Sequence, residues 1–261
     1  MTLLEAIILG IIEGITEFLP ISSTAHLILA ARLLGIQQES EFVKSFEIVI
    51  QFGAILAVVA LLFWENKKLL LNIKSLIKIV VAFSPTVVLG FVFYGIIKKS
   101  LFENNSVIVG SLLIGGIIII VFEILHRERE NAIDDIKNIS YPKCFIIGLF
   151  QSIAMVPGVS RAAATIIGGL VLGLKRKTIV EFSFLLAIPT MLGATALDLI
   201  KTGNSFSAEE FGILAIGFVV SFIFAAIFAK FLLWYIGKYN FIPFGIYRVV
   251  IGLFFLFKFI L

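Results

Sequence analysis

In a chain of 261 residues, 60% are Ala, Val, Ile, Leu, Met, Phe, Trp, Tyr or Cys and only 15% are charged, which exceeds the roughly 45–50% apolar content of soluble domains. A mean hydropathy of +1.12 makes a lipid bilayer the expected solvent. This composition excludes a disordered chain, the lone cysteine, Cys144, excludes an internal disulfide framework, and the net charge of +4 is ascribed to Lys and Arg in membrane-surface loops and not to nucleic acid.

Taken in order, the chain opens with MTLLEAIILG, which has no basic leader and carries Glu5 where a secretory signal would place Lys or Arg. The first apolar segment is therefore expected to stay in the mature protein. That segment, residues 3 to 31, is broken in its middle by Pro20, Ser22, Ser23 and Thr24. Runs long enough to cross a bilayer follow at 46 to 64, 79 to 97 and 106 to 125. A second interrupted segment covers 144 to 174, with Pro157, Gly158, Ser160 and Arg161 at its break. Three more runs occupy 178 to 197, 211 to 235 and 244 to 260. Pro85 and Pro189 are expected to kink two of the six runs.

Non-helical backbone is tolerated at membrane depth only where protein or a water-filled cavity satisfies it, so each interrupted segment is expected to be a re-entrant hairpin with a buried tip. With both hairpins returning to their own side, the loops at 65 to 78, 126 to 143, 175 to 177 and 236 to 243 hold 12 Lys and Arg, against 5 in those at 32 to 45, 98 to 105 and 198 to 210. The positive-inside rule puts the first set in the cytoplasm and both termini outside. On the same reasoning Lys230 and Arg248, near the cytoplasmic ends of their runs, are expected to snorkel.

The two interrupted segments also match each other. Aligned on Pro20 and Pro157, Ser23 and Ser160 each come three residues later, and Phe46 and Phe182 follow those serines by 23 and 22 residues. The fold expected is an all-α integral membrane protein forming a single polytopic domain over 1 to 261, with six transmembrane helices and two re-entrant hairpins. Its halves, about 1–125 and 144–261, form an inverted-topology repeat.

Charges inside membrane segments are costly and point to function, and they gather at the two breaks. Glu13 and Glu17 share one face of the half-helix that leads to Pro20. Two such carboxylates call for a cation between them, and hard oxygen ligands favour Mg²⁺ or Ca²⁺; lining a water cavity or relaying protons is the alternative. Ser23 lies three residues before His26, the spacing of a hydroxyl with its base. Ser23 is equally suited to cap the following half-helix, in which case Ser22 or a metal-bound water attacks. Arg161, beside Ser160, supplies a planar fork matched to phosphate oxygens, and Ser22, Thr24 and Ser160 add hydroxyls for substrate binding. Together these groups fit phosphoryl transfer, in which positioning and charge neutralisation supply most of the rate. An anion or lipid-phosphate transporter, or flippase, built around the same midplane site is the competing reading.

EGITEFLPISSTAH (13 to 26) and PGVSRAAAT (157 to 165) resemble the two signature motifs of the bacterial undecaprenyl-diphosphate phosphatases, also called bacitracin-resistance proteins. FEIVIQFGAILAVV (46 to 59), EFSFLLAIPTMLGATALDL (181 to 199) and FIPFGIYR (241 to 248) extend the resemblance over nearly the whole chain. One departure is the pair Ala162-Ala163, where the second motif usually has Ser-Gly after its arginine.

The resemblance implies a multi-pass enzyme of the bacterial cell membrane. It would remove the terminal phosphate of undecaprenyl diphosphate, returning the carrier lipid to peptidoglycan synthesis and countering bacitracin. It further implies that Glu13 and Glu17 bind divalent metal and diphosphate, that Ser23 is the nucleophile and His26 the acid/base, that Arg161 binds diphosphate, and that the site opens toward the outer face. A polyprenyl diphosphate and membrane lipids are the expected partners, with no nucleic acid; a homodimer is left open.

Overall fold

The computed structural model describes residues 1–37, 40–70, 72–96, 104–202 and 206–260, with side chains described for these apart from 65–70, 94–96, 194 and 196–202. Among the described residues there are ten α-helices and no strand: α1 (Leu3–Thr16), α2 (Ser23–Leu33), α3 (Glu41–Leu70), α4 (Ile73–Ile96), α5 (Asn105–Leu125), α6 (Tyr141–Ile153), α7 (Arg161–Val171), α8 (Arg176–Thr202), α9 (Ala208–Ile236) and α10 (Ile242–Phe259). Parts of the expected loops at 32–45, 65–78, 98–105 and 198–210, and residue 97 at the end of the second expected span, lie outside the described residues.

Among the described residues five helices are long and apolar enough to cross a membrane: α3 over Glu41–Trp64, α4 over Ile73–Phe93, α5, α9 and α10. The sixth expected span falls in α8, part of whose side chains lie outside the described residues. Helices overrun the apolar runs at their ends because backbone hydrogen bonding does not stop where hydrophobicity does. In α4 the overrun brings in buried Lys78, whose ammonium donates to the carbonyls of Ile136 (3.0 Å) and Lys137 at a 3-10 turn, Ile136–Asn138. α9 starts from a capping box in which Ser207 Oγ accepts from the Glu210 backbone N–H and Glu210 accepts from the Ser207 N–H. Thr2 and Glu5 build the same box at the start of α1, which gives Glu5 a local role.

α1, α2, α6 and α7 have 14, 11, 13 and 11 residues, and at 1.5 Å per residue none reaches the roughly 30 Å of a hydrocarbon layer. They pair as the breaks require, α1 packing on α2 and α6 on α7. α9 lies against α1 and α3, α4 against α6, α8 against α3 and α7, and α10 against α5. Close approach depends on glycine: a Cβ on Gly14 of α1 would sit 2.7 Å from the Ser221 carbonyl of α9. The core runs through Phe18, Phe182 and Phe184, with Phe18 edge-on to Phe184 at 5.1 Å. It closes around the turn that follows α1.

Candidate active site

Each short-helix pair is joined by a few non-helical residues, and each joint ends in a serine with left-handed backbone: Ser22 at φ 74° and Ser160 at φ 76°. These are the N-caps of α2 and α7. Ser22 Oγ accepts from the Ala25 N–H (3.5 Å) and Ser160 Oγ from the Ala163 N–H (3.2 Å). This corrects the register read from the sequence: Ser160 corresponds to Ser22, not to Ser23, so Ser23 and Arg161 both stand at the first position of their helices. It also answers the capping alternative, because Ser22 is the cap and the Ser23 hydroxyl is left for another partner.

That partner is Glu17. Ser23 Oγ donates to Glu17 Oε2 at 2.5 Å, with both residues buried. The other oxygen, Glu17 Oε1, receives Arg161 Nη2 at 3.3 Å. Glu17 therefore binds together the first residues of the two half-helices, reaching Arg161 across 144 positions of sequence. Arg161 is held further by Nη1 donating to the Ser183 carbonyl (2.9 Å), and its guanidinium carbon lies 6.0 Å from the centre of the Phe18 ring. Ser183 in turn shares a 2.7 Å hydrogen bond with Thr165, whose hydroxyl also donates to the Arg161 carbonyl (2.9 Å). Thr24 is half-buried at the second position of α2.

Of the described buried residues with an unpartnered polar side-chain atom, two lie at this site. Both carboxylate oxygens of Glu13 and the Nε of Arg161 lack a hydrogen-bond partner. Glu13 lies beside Glu17, and Glu47 of α3 is within its electrostatic range. An unpaired buried carboxyl group and an unpaired guanidinium N–H, both next to Glu17 and its ion pair, fit a charged guest that is not protein. Among the described residues no three His, Cys, Asp or Glu side chains gather as a metal cluster, so Glu13 and Glu17 would supply only two ligands.

His26 does not reach Ser23. Its Nδ1 is 2.7 Å from the Ser22 carbonyl, and its Nε2 is 2.9 Å from the Tyr247 hydroxyl. The pairing of Ser23 with His26 expected from their spacing is replaced by the pairing of Ser23 with Glu17.

Arg248 overturns a second expectation. It does not snorkel: it is 0% exposed, and all five guanidinium N–H groups donate to backbone carbonyls. Nη1 serves Pro20 (3.3 Å) and Val159 (2.9 Å), Nη2 serves Gly158 (2.8 Å) and Ser111 (2.8 Å), and Nε serves Leu112 (3.4 Å). The side chain thus ties the two breaks to each other and to α5. The fork shape makes this an arginine's task. The neighbouring small residues are part of the fit, since a Cβ on Gly115 would overlap the Arg248 guanidinium and one on Gly116 would come within 2.8 Å of the Gly245 carbonyl. The Gly115-Gly116 face therefore packs within the chain. Gly115→Ala is expected to lower stability by about 1–3 kcal/mol through overpacking, read as a fall in the thermal midpoint of detergent-solubilised protein.

A helical membrane protein whose two broken-helix joints meet around a buried hydroxyl, carboxylate and guanidinium belongs to the class that handles charged groups inside the bilayer. The family follows from comparison with known proteins. The family model described as "Bacitracin resistance protein BacA" matches residues 6–254, and the chain belongs to that family. Its relatives include proteins named undecaprenyl-diphosphatase from Sulfurihydrogenibium sp. (strain YO3AOP1), 53% identical over 97% of this chain and 98% of that one, and from Aquifex aeolicus, 52% identical over 97% of each. Another, from Wolinella succinogenes, is 50% identical over 98% of each.

Proposed function

We infer that this chain is an undecaprenyl-diphosphate phosphatase of the bacterial cell membrane, hydrolysing the terminal phosphate of undecaprenyl diphosphate to undecaprenyl phosphate and phosphate. The reaction returns the carrier lipid to peptidoglycan synthesis and confers bacitracin resistance by removing the form that bacitracin sequesters. The observation that carries this reading is the buried contact of Ser23 with Glu17, itself paired with Arg161, in a chain about half identical to proteins of that name.

In the chemistry that follows, the Ser23 oxygen attacks the terminal phosphorus while its proton passes to Glu17, already 2.5 Å away. The anhydride P–O bond breaks, and undecaprenyl phosphate leaves with the bonding electron pair. Water then hydrolyses the phosphoserine. Arg161 turns its unpartnered Nε toward the phosphoryl oxygens while Ser183 and Glu17 hold its remaining nitrogens. Thr24, the second residue of α2, and the first backbone N–H groups of α2 and α7 would add donors to the phosphate oxygens. Ser22 and Ser160 contribute by shaping the joints.

Glu13 and Glu17 would hold a Mg²⁺ or Ca²⁺ ion, which when bound neutralises part of the diphosphate charge. The fit rests on the two orphaned Glu13 oxygens. Two protein carboxylates would leave such an ion open to water and substrate, the usual manner of Mg²⁺.

For topology we propose six transmembrane helices and two re-entrant hairpins, α1–α2 and α6–α7, in an inverted repeat with the site open toward the outer face. Three things support this reading. The four hairpin helices are short, the two serine caps share one backbone conformation, and the packing is reciprocal: α1 on α9 answers α6 on α4, while α3 meets α8 and α5 meets α10. The Lys and Arg count puts the α1 start outside.

The deciding experiment is phosphate release from a polyprenyl diphosphate by purified protein in detergent, where a flippase has no leaflets to work between. Wild-type protein is expected to release phosphate and to lose that activity with EDTA. Ser23→Ala is expected to lose at least about 10³-fold in kcat and to form no labelled phosphoserine in a quenched reaction. Substantial activity in the variant would remove Ser23 as nucleophile, and silence of the wild type in detergent and in vesicles would favour transport.

A further inference from the structure

Tyr247 precedes Arg248 on α10 and meets His26 of α2. Its ring stacks on His26 at 5.5 Å between centroids and 7° between planes, and its hydroxyl lies 2.9 Å from His26 Nε2. The other imidazole nitrogen, Nδ1, faces the Ser22 carbonyl at 2.7 Å. A carbonyl only accepts, so Nδ1 carries the hydrogen; in the neutral ring Nε2 is then the acceptor, and the Tyr247 O–H donates to it. The Ser22 carbonyl also receives the His26 backbone N–H at 3.3 Å. One histidine thus places two donors on the carbonyl of the residue held at φ 74°, directly before the attacking serine.

We propose that Tyr247 is a positioning residue for the phosphatase reaction. By donating to Nε2 it fixes the tautomer and ring plane of His26, so that Nδ1–H pins Ser22 and aims the Ser23 hydroxyl at Glu17. The proposal rests on the phosphatase reading for its kinetic arm only. Packing alone does not account for the tyrosine: the residue is 40% exposed, and the contact found for its hydroxyl is the one with His26. The assignment gives His26 a task it performs without touching Ser23: holding the joint in shape.

Tyr247→Phe keeps the stacked ring and deletes the hydroxyl, while His26→Asn keeps a donor near the Nδ1 position and deletes Nε2. In phosphate-release kinetics Tyr247→Phe is expected to lower kcat about tenfold, the weight of one hydrogen bond, with KM and thermal midpoint unchanged. In the His26→Asn background the same substitution is expected to do nothing further, the signature of two residues acting as one unit. Wild-type kcat in Tyr247→Phe, losses that multiply in the double variant, or a change in KM alone would each overturn the proposal. A second readout does not depend on turnover. The chain has two histidines, so ¹⁵N NMR of the His126→Gln variant in bilayers reports His26 alone. A pure Nδ1–H tautomer that becomes mixed in Tyr247→Phe is expected, and an unchanged spectrum would defeat the proposal even if the protein proved not to be a phosphatase.

Discussion

Replacing Arg161 by alanine is expected to cut phosphate release by about 10²–10³-fold or more, the cost of removing a preorganised donor from developing negative charge, in a protein that still folds. The variant loses twice. The unpartnered Nε proposed to serve the phosphoryl oxygens is gone, and Glu17 loses the cation that pairs with it at 3.3 Å, so a buried carboxylate that should accept the Ser23 proton stands uncompensated. Both a higher KM and a lower kcat are therefore expected if, as proposed, the arginine binds diphosphate in the ground state and in the transition state. Arg161→Lys restores charge without the fork. Lysine cannot at once reach the Ser183 carbonyl, Glu17 and a phosphate oxygen, and its recovery is expected to fall well short of wild type. Steady-state kinetics on both variants, with a thermal midpoint for each, checks the prediction; full activity in either would remove Arg161 from the site's chemistry.

Arg248→Met is expected to fail differently. Its five N–H groups are all spent on backbone carbonyls, and among the described residues no carboxylate is paired with it. Methionine approximates the stem and deletes every donor, leaving the carbonyls of Pro20, Gly158, Val159, Ser111 and Leu112 without that partner. A buried unsatisfied acceptor costs about 1–3 kcal/mol, so even after relaxation a loss near 4 kcal/mol is expected. Low yield of monodisperse protein and a markedly lower thermal midpoint are the readouts, with activity falling in step. A stable but inactive Arg248→Met protein would show that the guanidinium acts on substrate and not on the joints.

Much of this was legible in advance, for identifiable reasons. The run expected at 106 to 125 became Asn105–Leu125 because an uninterrupted apolar stretch flanked by Asn104 leaves little freedom about where a helix starts. The two breaks were equally plain, since Pro20 and Pro157 stand among hydroxyl residues in otherwise apolar text. Contacts between distant residues were not legible. Ser23 and His26 have the spacing of a nucleophile and its base, yet the left-handed turn at Ser22 directs the hydroxyl to Glu17 and the imidazole away. Tyr247 lies 221 residues from the histidine it holds, and nothing local announces it. Arg248 misled for a related reason. Near the end of an apolar run an arginine ordinarily reaches for water, and only the meeting of two backbone breaks beside it provides enough carbonyls to keep it buried. FIPFGIYR, noted only as supporting text, contained both residues.

The shared position of Ser23 and Arg161, each directly after a left-handed serine, bears on how such a site arises. On the proposed repeat, two identical half-length chains assembled about a twofold axis would present the same residue at both tips: two hydroxyls with no cation, or two guanidiniums with nothing to attack. Neither pair performs the reaction. Joining the halves in one chain frees the two tips to diverge, so that one supplies the oxygen and the other the charge. The symmetry of the backbone is then a relic, and its breaking at a single matched position is where the enzyme begins.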